Sequence, residues 1–130
     1  KNKSSLAVSR SMAYHPEIQH TAAEMAMEIE ATLALIERVA DDWSNGVDHG
    51  ALWPAKIVGA KYHAVESGKR VVDLAMDMSG GSGIFKKSEL ERLYRDVRGG
   101  AFHPANAALT HEIVGKTALG VGLDESPRWG

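Results

Sequence analysis

A run of glycines between two predicted helices is the part of the chain best suited to contact a ligand. Glycine has no Cβ and can adopt positive φ, so the phosphate or ring of a ligand can approach the backbone closely. The same glycines would also suit a simple helix C-cap, which is the commoner role of a Gly-rich turn after a helix. The residues of this candidate contact are Asp77, Met78, Ser79, Gly80, Gly81 and Gly83.

Other kinds of catalytic or metal site have little support in the sequence. The six histidines include no pair at i, i+4, and His111-Glu112 is not followed by a second histidine, so no metal site is predicted. The chain has no cysteine, which excludes a disulfide framework and a thiolate-ligated metal. No nucleophile-elbow motif supports a Ser-His-Asp triad. The histidines are therefore interpreted as surface or helix-terminal residues.

The composition is that of one globular domain. A chain of 130 residues can bury about two-thirds of its unfolded surface. The formal net charge of −2, with scattered Lys and Arg, argues against a nucleic-acid partner. No apolar run reaches the length of a membrane span and no signal peptide opens the chain, so we expect a soluble, cytoplasmic protein. Because Lys1 to Arg10 shows no apolar periodicity, we expect the chain to be part of a longer polypeptide.

Apolar residues at three- and four-residue spacing predict a long first helix that begins near Pro16. Glutamates between these positions, such as Glu28, are expected to face solvent. A second apolar pattern predicts a helix from about Trp53 to Met78, ended by Gly80. The apolar stripe of the first helix consists of Ile18, Ala22, Met25, Ile29, Leu33, Ile36, Ala40 and Trp43.

Two shorter helices are predicted after the glycine run. Ser88-Glu-Leu-Glu91 has the form of a capping box, in which the serine and glutamate side chains satisfy each other's backbone N–H groups. It predicts a helix that ends near Arg98. The last helix should begin near Pro104 or Ala105 and end at Gly120 or Gly122. No strand pattern is present.

The order of these features resembles the C-terminal helical domain of the acyl-CoA dehydrogenase family of flavoproteins. In that family a Gly-Gly-x-Gly turn lies against the ADP half of FAD and precedes Glu-Arg-x-x-Arg-Asp, as in Glu91-Arg92 and Arg95-Asp96 here. The segment 23–30 is similar to the family's Ala-Asp-Met-x-x-x-Ile-Glu. The resemblance implies an all-α, up-and-down four-helix-bundle-like domain over residues 1–130, with 1–15 as a loop, 121–130 as a tail and the first bundle helix missing.

The chain departs from the family pattern at functional positions. Asp77 stands where the family has Gln beside FAD. The family's Tyr-Glu-Gly-Thr falls on His103 to Asn106, so its catalytic Glu is Pro104 here, which cannot take a proton. The resemblance therefore assigns no catalytic residue within this chain. Asn106 can still hydrogen-bond FAD, and Arg10 is a candidate substitute for the family Arg that reaches the FAD pyrophosphate.

The resemblance implies an FAD-dependent acyl-CoA dehydrogenase, which removes hydrogens from the α and β carbons of an acyl-CoA thioester and passes electrons to an acceptor. This chain would supply FAD contacts and a homodimer or tetramer interface, since a bundle without its first helix exposes apolar surface. It is expected to be inactive alone, because it lacks the family's other two domains. Two alternatives stay open: a flavin-dependent monooxygenase on the same scaffold, and a non-catalytic helical assembly module.

Overall fold

The computed structural model describes residues 11–126, and none of these residues belongs to a β-strand. The predicted all-α class is confirmed. Four α-helices account for most of the described chain: α1 (Pro16–Ser44), α2 (Trp53–Ser79), α3 (Glu89–Val97) and α4 (Ala107–Leu119). Short 3-10 turns lie before α1 or between the helices: Met12–Tyr14, Gly50–Leu52, Gly80–Ile84 and Arg98–Ala101.

Local signals set the ends of the long helices. Pro16 is the first residue of α1, where its missing N–H costs nothing. Gly80 follows the last residue of α2 with φ 61°, and Gly120 ends α4 in the left-handed conformation with φ 68°. Helix α4 begins at Ala107, two residues after the later of the two predicted starts, Pro104 and Ala105, and neither of these residues caps it. Asn106 caps this helix instead, because its side-chain oxygen accepts a 3.1 Å hydrogen bond from the Leu109 N–H.

The predicted capping box of α3 is not formed. Ser88 occupies the N-cap position, but its side chain makes no capping hydrogen bond. The two glutamates of the first turn lie near arginines instead: Glu89 pairs with Arg92, and Glu91 lies 3.8 Å from Arg95. The Arg92 guanidinium lowers the pKa of the Glu89 carboxyl through their hydrogen bond. The start of α3 is therefore stabilised by ion pairs along the helix surface.

Helix α2 is the centre of the domain, since α1, α3 and α4 all pack on it. Small residues allow the close approach. A Cβ at Gly68 would lie 3.2 Å from Val97 Cγ2 of α3, which is tighter than most real contacts. At Gly59 a Cβ would make an ordinary 3.9 Å contact with Val114 of α4. Ala60 and Ser67 are buried on the same helix.

The side of α1 that packs against α2 is not its most apolar face. The least exposed positions recur at three- and four-residue steps and include polar residues, whereas Leu33, Ile36 and Trp43 of the predicted stripe are 46, 40 and 65% exposed. Asp42 is the buried member of this set, and the others are half-buried: Ile18, Thr21, Met25, Glu28, Thr32 and Val39. The sequence pattern thus located the helix, but much of its apolar stripe is left uncovered by the described residues.

A polar seam joins the middle of α1 to α2. The hydroxyl oxygens of Thr32 and the buried Ser67 are 2.6 Å apart, and Thr32 donates to the Glu28 carbonyl at 2.8 Å. The Glu28 carboxylate pairs with Arg70 of α2, whose hydrogen bond lowers the pKa of the glutamate. The prediction that Glu28 simply faces solvent is wrong, because Arg70 lies within reach across the helix interface.

A second polar cluster closes the turn between α1 and α2. Asp42 is 6% exposed, and its two carboxylate oxygens accept hydrogen bonds from His49 Nε2 at 2.8 Å and Arg38 Nε at 2.9 Å. The His49 ring lies edge-on to Trp53 with centroids 4.8 Å apart, and Trp53 contacts Trp43 in the same manner. Sequence reasoning missed this cluster, because His49 and Asp42 belong to different elements.

Asp42 should make stability depend on pH in the acid range. Hydrogen bonds from His49 and then Arg38 hold the pKa of Asp42 below its ordinary value of about 3.9. A depressed carboxyl pKa stabilises the fold fully above about pH 4, and this contribution is lost as the pH falls through the folded-state pKa. Between about pH 4 and pH 2 the thermal midpoint of the wild type should therefore fall more steeply than that of Asp42→Asn. Asp41→Asn, at the exposed neighbouring carboxylate, is the control; parallel curves for wild type and Asp42→Asn would contradict the assignment.

Candidate functional site

The predicted glycine turn is present at the end of α2. Gly80 adopts φ 61° and ψ −162°, a conformation that other residues rarely adopt, and its N–H donates to the Asp77 carbonyl. The chain then continues through one 3-10 segment to Ile84. The Ser79 hydroxyl donates to the Met76 carbonyl at 2.8 Å, which ties the turn to the last turn of the helix.

The three glycines of the turn have different roles. Gly80 and Gly81 are exposed, and a Cβ on either would meet nothing within 4 Å, so their backbone is open to a ligand. Gly83 is buried, and a Cβ there would lie 2.0 Å from Ser79 Oγ and 2.7 Å from Met76 Sδ. Only Gly80 of the three has positive φ. Two glycines can therefore face a ligand, while the third is required by packing within the chain.

A cleft of about 630 Å³ opens beside the turn, between α2 and α3. Two guanidinium groups line it, from Arg95 and Arg98, together with the carboxylates of α2 and α3 and the Tyr94 ring. A hydrogen bond with Asp73 raises the pKa of the Tyr94 hydroxyl. The cleft can accept a ligand that has both anionic and neutral hydrogen-bonding groups. Its lining residues are Asp73, Met76, Asp77, Ile84, Glu91, Tyr94, Arg95 and Arg98.

The charged motif of α3 divides between two surfaces. Arg95 points into the cleft beside the glycine turn. Arg92 instead bridges Glu89 and Asp96, the latter with an Nη1–Oδ2 distance of 2.9 Å, and all three side chains are more than half exposed. Arg92 and Asp96 therefore stabilise the helix, whereas Glu91 and Arg95 are the members of the motif that line the cleft.

Asn106 lies far from the other candidate residues. It follows Ala105, whose carbonyl is 2.8 Å from Lys61 Nζ near the start of α2. Lys61 and Gly80 are 19 residues apart on or directly after the same helix, which is about 28 Å along its axis. The predicted residues thus form two separate groups: one around Gly80 at the C-terminal end of α2, and one at Asn106, close to Lys61 in the N-terminal half of α2.

The segment 103–106, where the family pattern places its catalytic glutamate, has no carboxylate side chain. Pro104 is exposed and Asn106 caps α4. Glu112, the next carboxylate along α4, pairs with Lys116, with Oε1 and Nζ 2.7 Å apart. The candidate Arg10 lies outside the described residues.

Within residues 11–126, no group of three or more His, Asp or Glu side chains is arranged to hold a metal ion. In the same part of the chain, no helix combines the length and the apolar character needed to cross a membrane.

Comparison with known proteins identifies the class of domain. Residues 3–117 match the family described as acyl-CoA dehydrogenase, C-terminal domain. Acyl-CoA dehydrogenase FadE12 of Mycobacterium tuberculosis is 28% identical over 107 residues, or 82% of this chain and 27% of that relative. The 3-(aryl)acrylate reductase of Clostridium sporogenes is 30% identical over 110 residues, covering 85% of this chain and 28% of that protein. Cyclohex-1-ene-1-carbonyl-CoA dehydrogenase of Geobacter metallireducens is 27% identical over 108 residues, again covering 83% and 28%.

The chain belongs to the acyl-CoA dehydrogenase family and corresponds to its C-terminal helical domain. The resemblance drawn from the glycine turn and the motif after it is confirmed. The chain spans 27–28% of the length of these three relatives.

Proposed function

We propose that this chain is the C-terminal part of an FAD-dependent acyl-CoA dehydrogenase, where it supplies contacts to FAD and a surface for self-association. The observation that carries the proposal is the open backbone at Gly80 and Gly81, next to a cleft with two guanidinium groups. A backbone without side chains lets a ligand approach closely, and guanidinium groups are suited to a pyrophosphate. A cytoplasmic location remains a prediction.

The side chains around the turn fit the ADP half of FAD in a particular orientation. The exposed Asp77 carboxylate would repel a phosphate, but it can accept hydrogen bonds from ribose hydroxyl groups, as acidic residues do in dinucleotide sites. Arg95 and Arg98 are suited to the phosphates. Asp77 would therefore take the sugar contact in place of the family Gln.

The chemistry of the reaction would be shared with groups outside this chain. The flavin, when bound, supplies the hydride acceptor for oxidation of the acyl group. The residues of this chain would bind and orient it, and Asn106, through its side-chain N–H₂, could donate a hydrogen bond while its oxygen caps α4. The carboxylate that removes the α proton would come from elsewhere in the protein, because Pro104 stands in the family position.

Glu112 should not be the catalytic base. It lies eight residues after Pro104, more than one turn into α4, and its carboxylate is paired with Lys116. A general base must lie within hydrogen-bond reach of the proton it removes. In the intact protein, Glu112→Gln should therefore keep most of its activity with acyl-CoA. A loss of about 10³-fold with FAD still bound would make Glu112 the base.

A flavin-dependent monooxygenase is the second candidate, and Pro104 is the observation that favours it, since oxygen chemistry does not need the missing carboxylate. Anaerobic addition of acyl-CoA to the flavin-loaded intact protein separates the two. A dehydrogenase should lose the visible absorbance of its oxidised flavin on adding acyl-CoA alone. Reduction only by a separate reductase would favour the monooxygenase, and failure to bind flavin would favour a non-catalytic assembly module.

Self-association is expected on two grounds. The exposed apolar stripe of α1 continues into a groove of about 480 Å³ lined by Ile36, Trp43 and Ile57, among others. In addition, the two candidate FAD-contacting groups are separated by about 28 Å along α2, and two copies that each supplied one of them to a shared FAD would satisfy both.

The intact protein should be a dimer or tetramer by light scattering. Ile36→Glu, on the exposed stripe, should shift the mass toward the monomer, because a buried unpaired carboxylate opposes association. Glu30→Gln, at an exposed position off the stripe, should not shift it. A monomeric mass for the wild type at working concentration would refute self-association.

A further inference from the structure

The loop between α3 and α4, residues 98–106, is attached to α2 by an ammonium group. Lys61 Nζ donates to the backbone carbonyls of Gly100 at 3.2 Å, His103 at 3.0 Å and Ala105 at 2.8 Å. An ammonium has three N–H donors, so this loop uses all of them. Hydrogen bonds that involve a charged group are stronger than neutral ones, and here three converge on one atom.

A close backbone contact attaches the same loop one helical turn further along α2. A Cβ at Gly100 would lie 2.8 Å from Val65 Cγ2 and 3.0 Å from Val65 Cγ1. Gly100 does not have positive φ, so glycine is needed here for space and not for its conformation. Lys61 and Val65 are four residues apart and therefore share one face of α2. The loop is thus docked at two neighbouring points on this face.

The loop has few side chains of its own to hold it in place. Phe102 is 82% exposed, and His103 and Pro104 are also exposed. Its attachment therefore depends on backbone contacts, mainly those of Lys61. Ala105, the last carbonyl bound by Lys61, directly precedes Asn106, the N-cap of α4. Movement of the loop would move Asn106 and the first turn of α4 with it.

We propose that Lys61 is a positioning residue that docks the α3–α4 loop on α2 and thereby sets the cofactor-facing position of Asn106. The inference rests on the proposed FAD-binding function, and it concerns the end of α2 opposite the glycine turn. Lys61 itself is occupied by three carbonyls and acts through the loop. The consequence is that FAD affinity should depend on a side chain that does not contact FAD.

Lys61→Met in the intact protein tests this dependence. FAD affinity should fall about tenfold, and amide hydrogen exchange of residues 98–106 in the flavin-free protein should become faster. Lys116→Met is the matched control, because Lys116 Nζ similarly contacts the carbonyls of Leu123, at 3.5 Å, and Glu125 beyond the other end of α4. This control should leave both measurements near their wild-type values.

Gly100→Ala tests the docked position with Lys61 intact. The added methyl group should push the loop away from Val65 and lower FAD affinity in the same direction as Lys61→Met. Val65→Ala removes both methyl groups that the new Cβ would meet, so Val65→Ala/Gly100→Ala should regain most of the lost affinity. If Lys61→Met does not fold, Gly100→Ala and the double variant still test whether the docked position of the loop affects FAD affinity, since neither alters the Lys61 ammonium.

The outcomes separate this inference from the proposed function. A wild-type protein that binds no FAD would overturn both. A wild-type protein that binds FAD, with unchanged affinity in Lys61→Met and Gly100→Ala, would overturn the positioning role alone. Faster exchange of the loop without a loss of FAD affinity would also overturn it, because Lys61 would then be merely structural. Lower affinity in both variants, with recovery in the double variant, supports it.

Discussion

Gly83→Ala should destabilise the domain by about 3 kcal/mol, at the upper end of the usual cost of overpacking. The new Cβ would lie 2.0 Å from Ser79 Oγ and 2.7 Å from Met76 Sδ. The thioether can move, but Ser79 is short and its hydroxyl is bonded to the Met76 carbonyl. Relief therefore requires the turn to shift against the end of α2. Urea unfolding of the wild type and variant measures this cost.

Gly81→Ala is the matched control for Gly83→Ala, because a Cβ at Gly81 meets nothing within 4 Å. Its effect on stability should be less than about 0.5 kcal/mol. Removing the clashing oxygen should also help, so Ser79→Ala/Gly83→Ala should regain part of the loss. Equal stability of the Gly81 and Gly83 variants would contradict the assignment of Gly83 to packing.

Gly81→Val should lower FAD affinity at least about tenfold, which corresponds to about 1.4 kcal/mol. Gly81 is exposed and has space for a side chain in the protein itself, so the branched side chain would obstruct only a ligand that approaches the backbone. The helical circular dichroism signal should be unchanged. Titration of FAD into the wild type, Gly81→Ala and Gly81→Val should give affinities that decrease as the side chain grows.

A purely structural turn makes the opposite prediction for Gly81→Val. Stability would then fall, while the FAD affinity of each folded molecule would stay the same. Gly115→Val on α4 is a control for the general effect of adding valine, since a Cβ at this glycine also meets nothing within 4 Å. It should leave FAD affinity unchanged.

The helix boundaries that depend on local chemistry could be predicted from the sequence. A proline without an N–H starts α1 at Pro16, and glycines with positive φ end α2 and α4 at Gly80 and Gly120. The start of α4 lies two residues after the later of its two predicted positions because two local signals compete nearby. The fixed φ of Pro104 suits a first helical position, but the side chain of Asn106 satisfies a backbone N–H and so determines the cap.

The packing of α1 could not be predicted from its apolar pattern. Periodicity identifies a helix face but not its partner, and the face of α1 against α2 carries Glu28, Thr32 and Asp42. The side chain of each of these residues has a hydrogen-bond or ion-pair partner in another element. Thr32, for example, pairs with Ser67, and Asp42 pairs with His49. Such pairs leave no signal at short spacing.

The candidate site could also be predicted only in part from the sequence. The glycine run and the motif on α3 were visible in the sequence, and Gly80, Gly81 and Arg95 lie at the turn and its cleft. The packing role of Gly83 depends on a side chain one turn earlier, whose orientation no pattern specifies. The contacts of Lys61 span 39–44 residues, so only the fold reveals them.

Hydrogen exchange of the intact protein with and without FAD tests the central claim most directly. The account predicts that FAD slows exchange in two separate segments, one around Gly80 and Gly81 and one around Asn106, with little change on the exposed face of α3 at Arg92. FAD binding that leaves both segments unchanged would contradict the claim that this domain supplies contacts to the flavin.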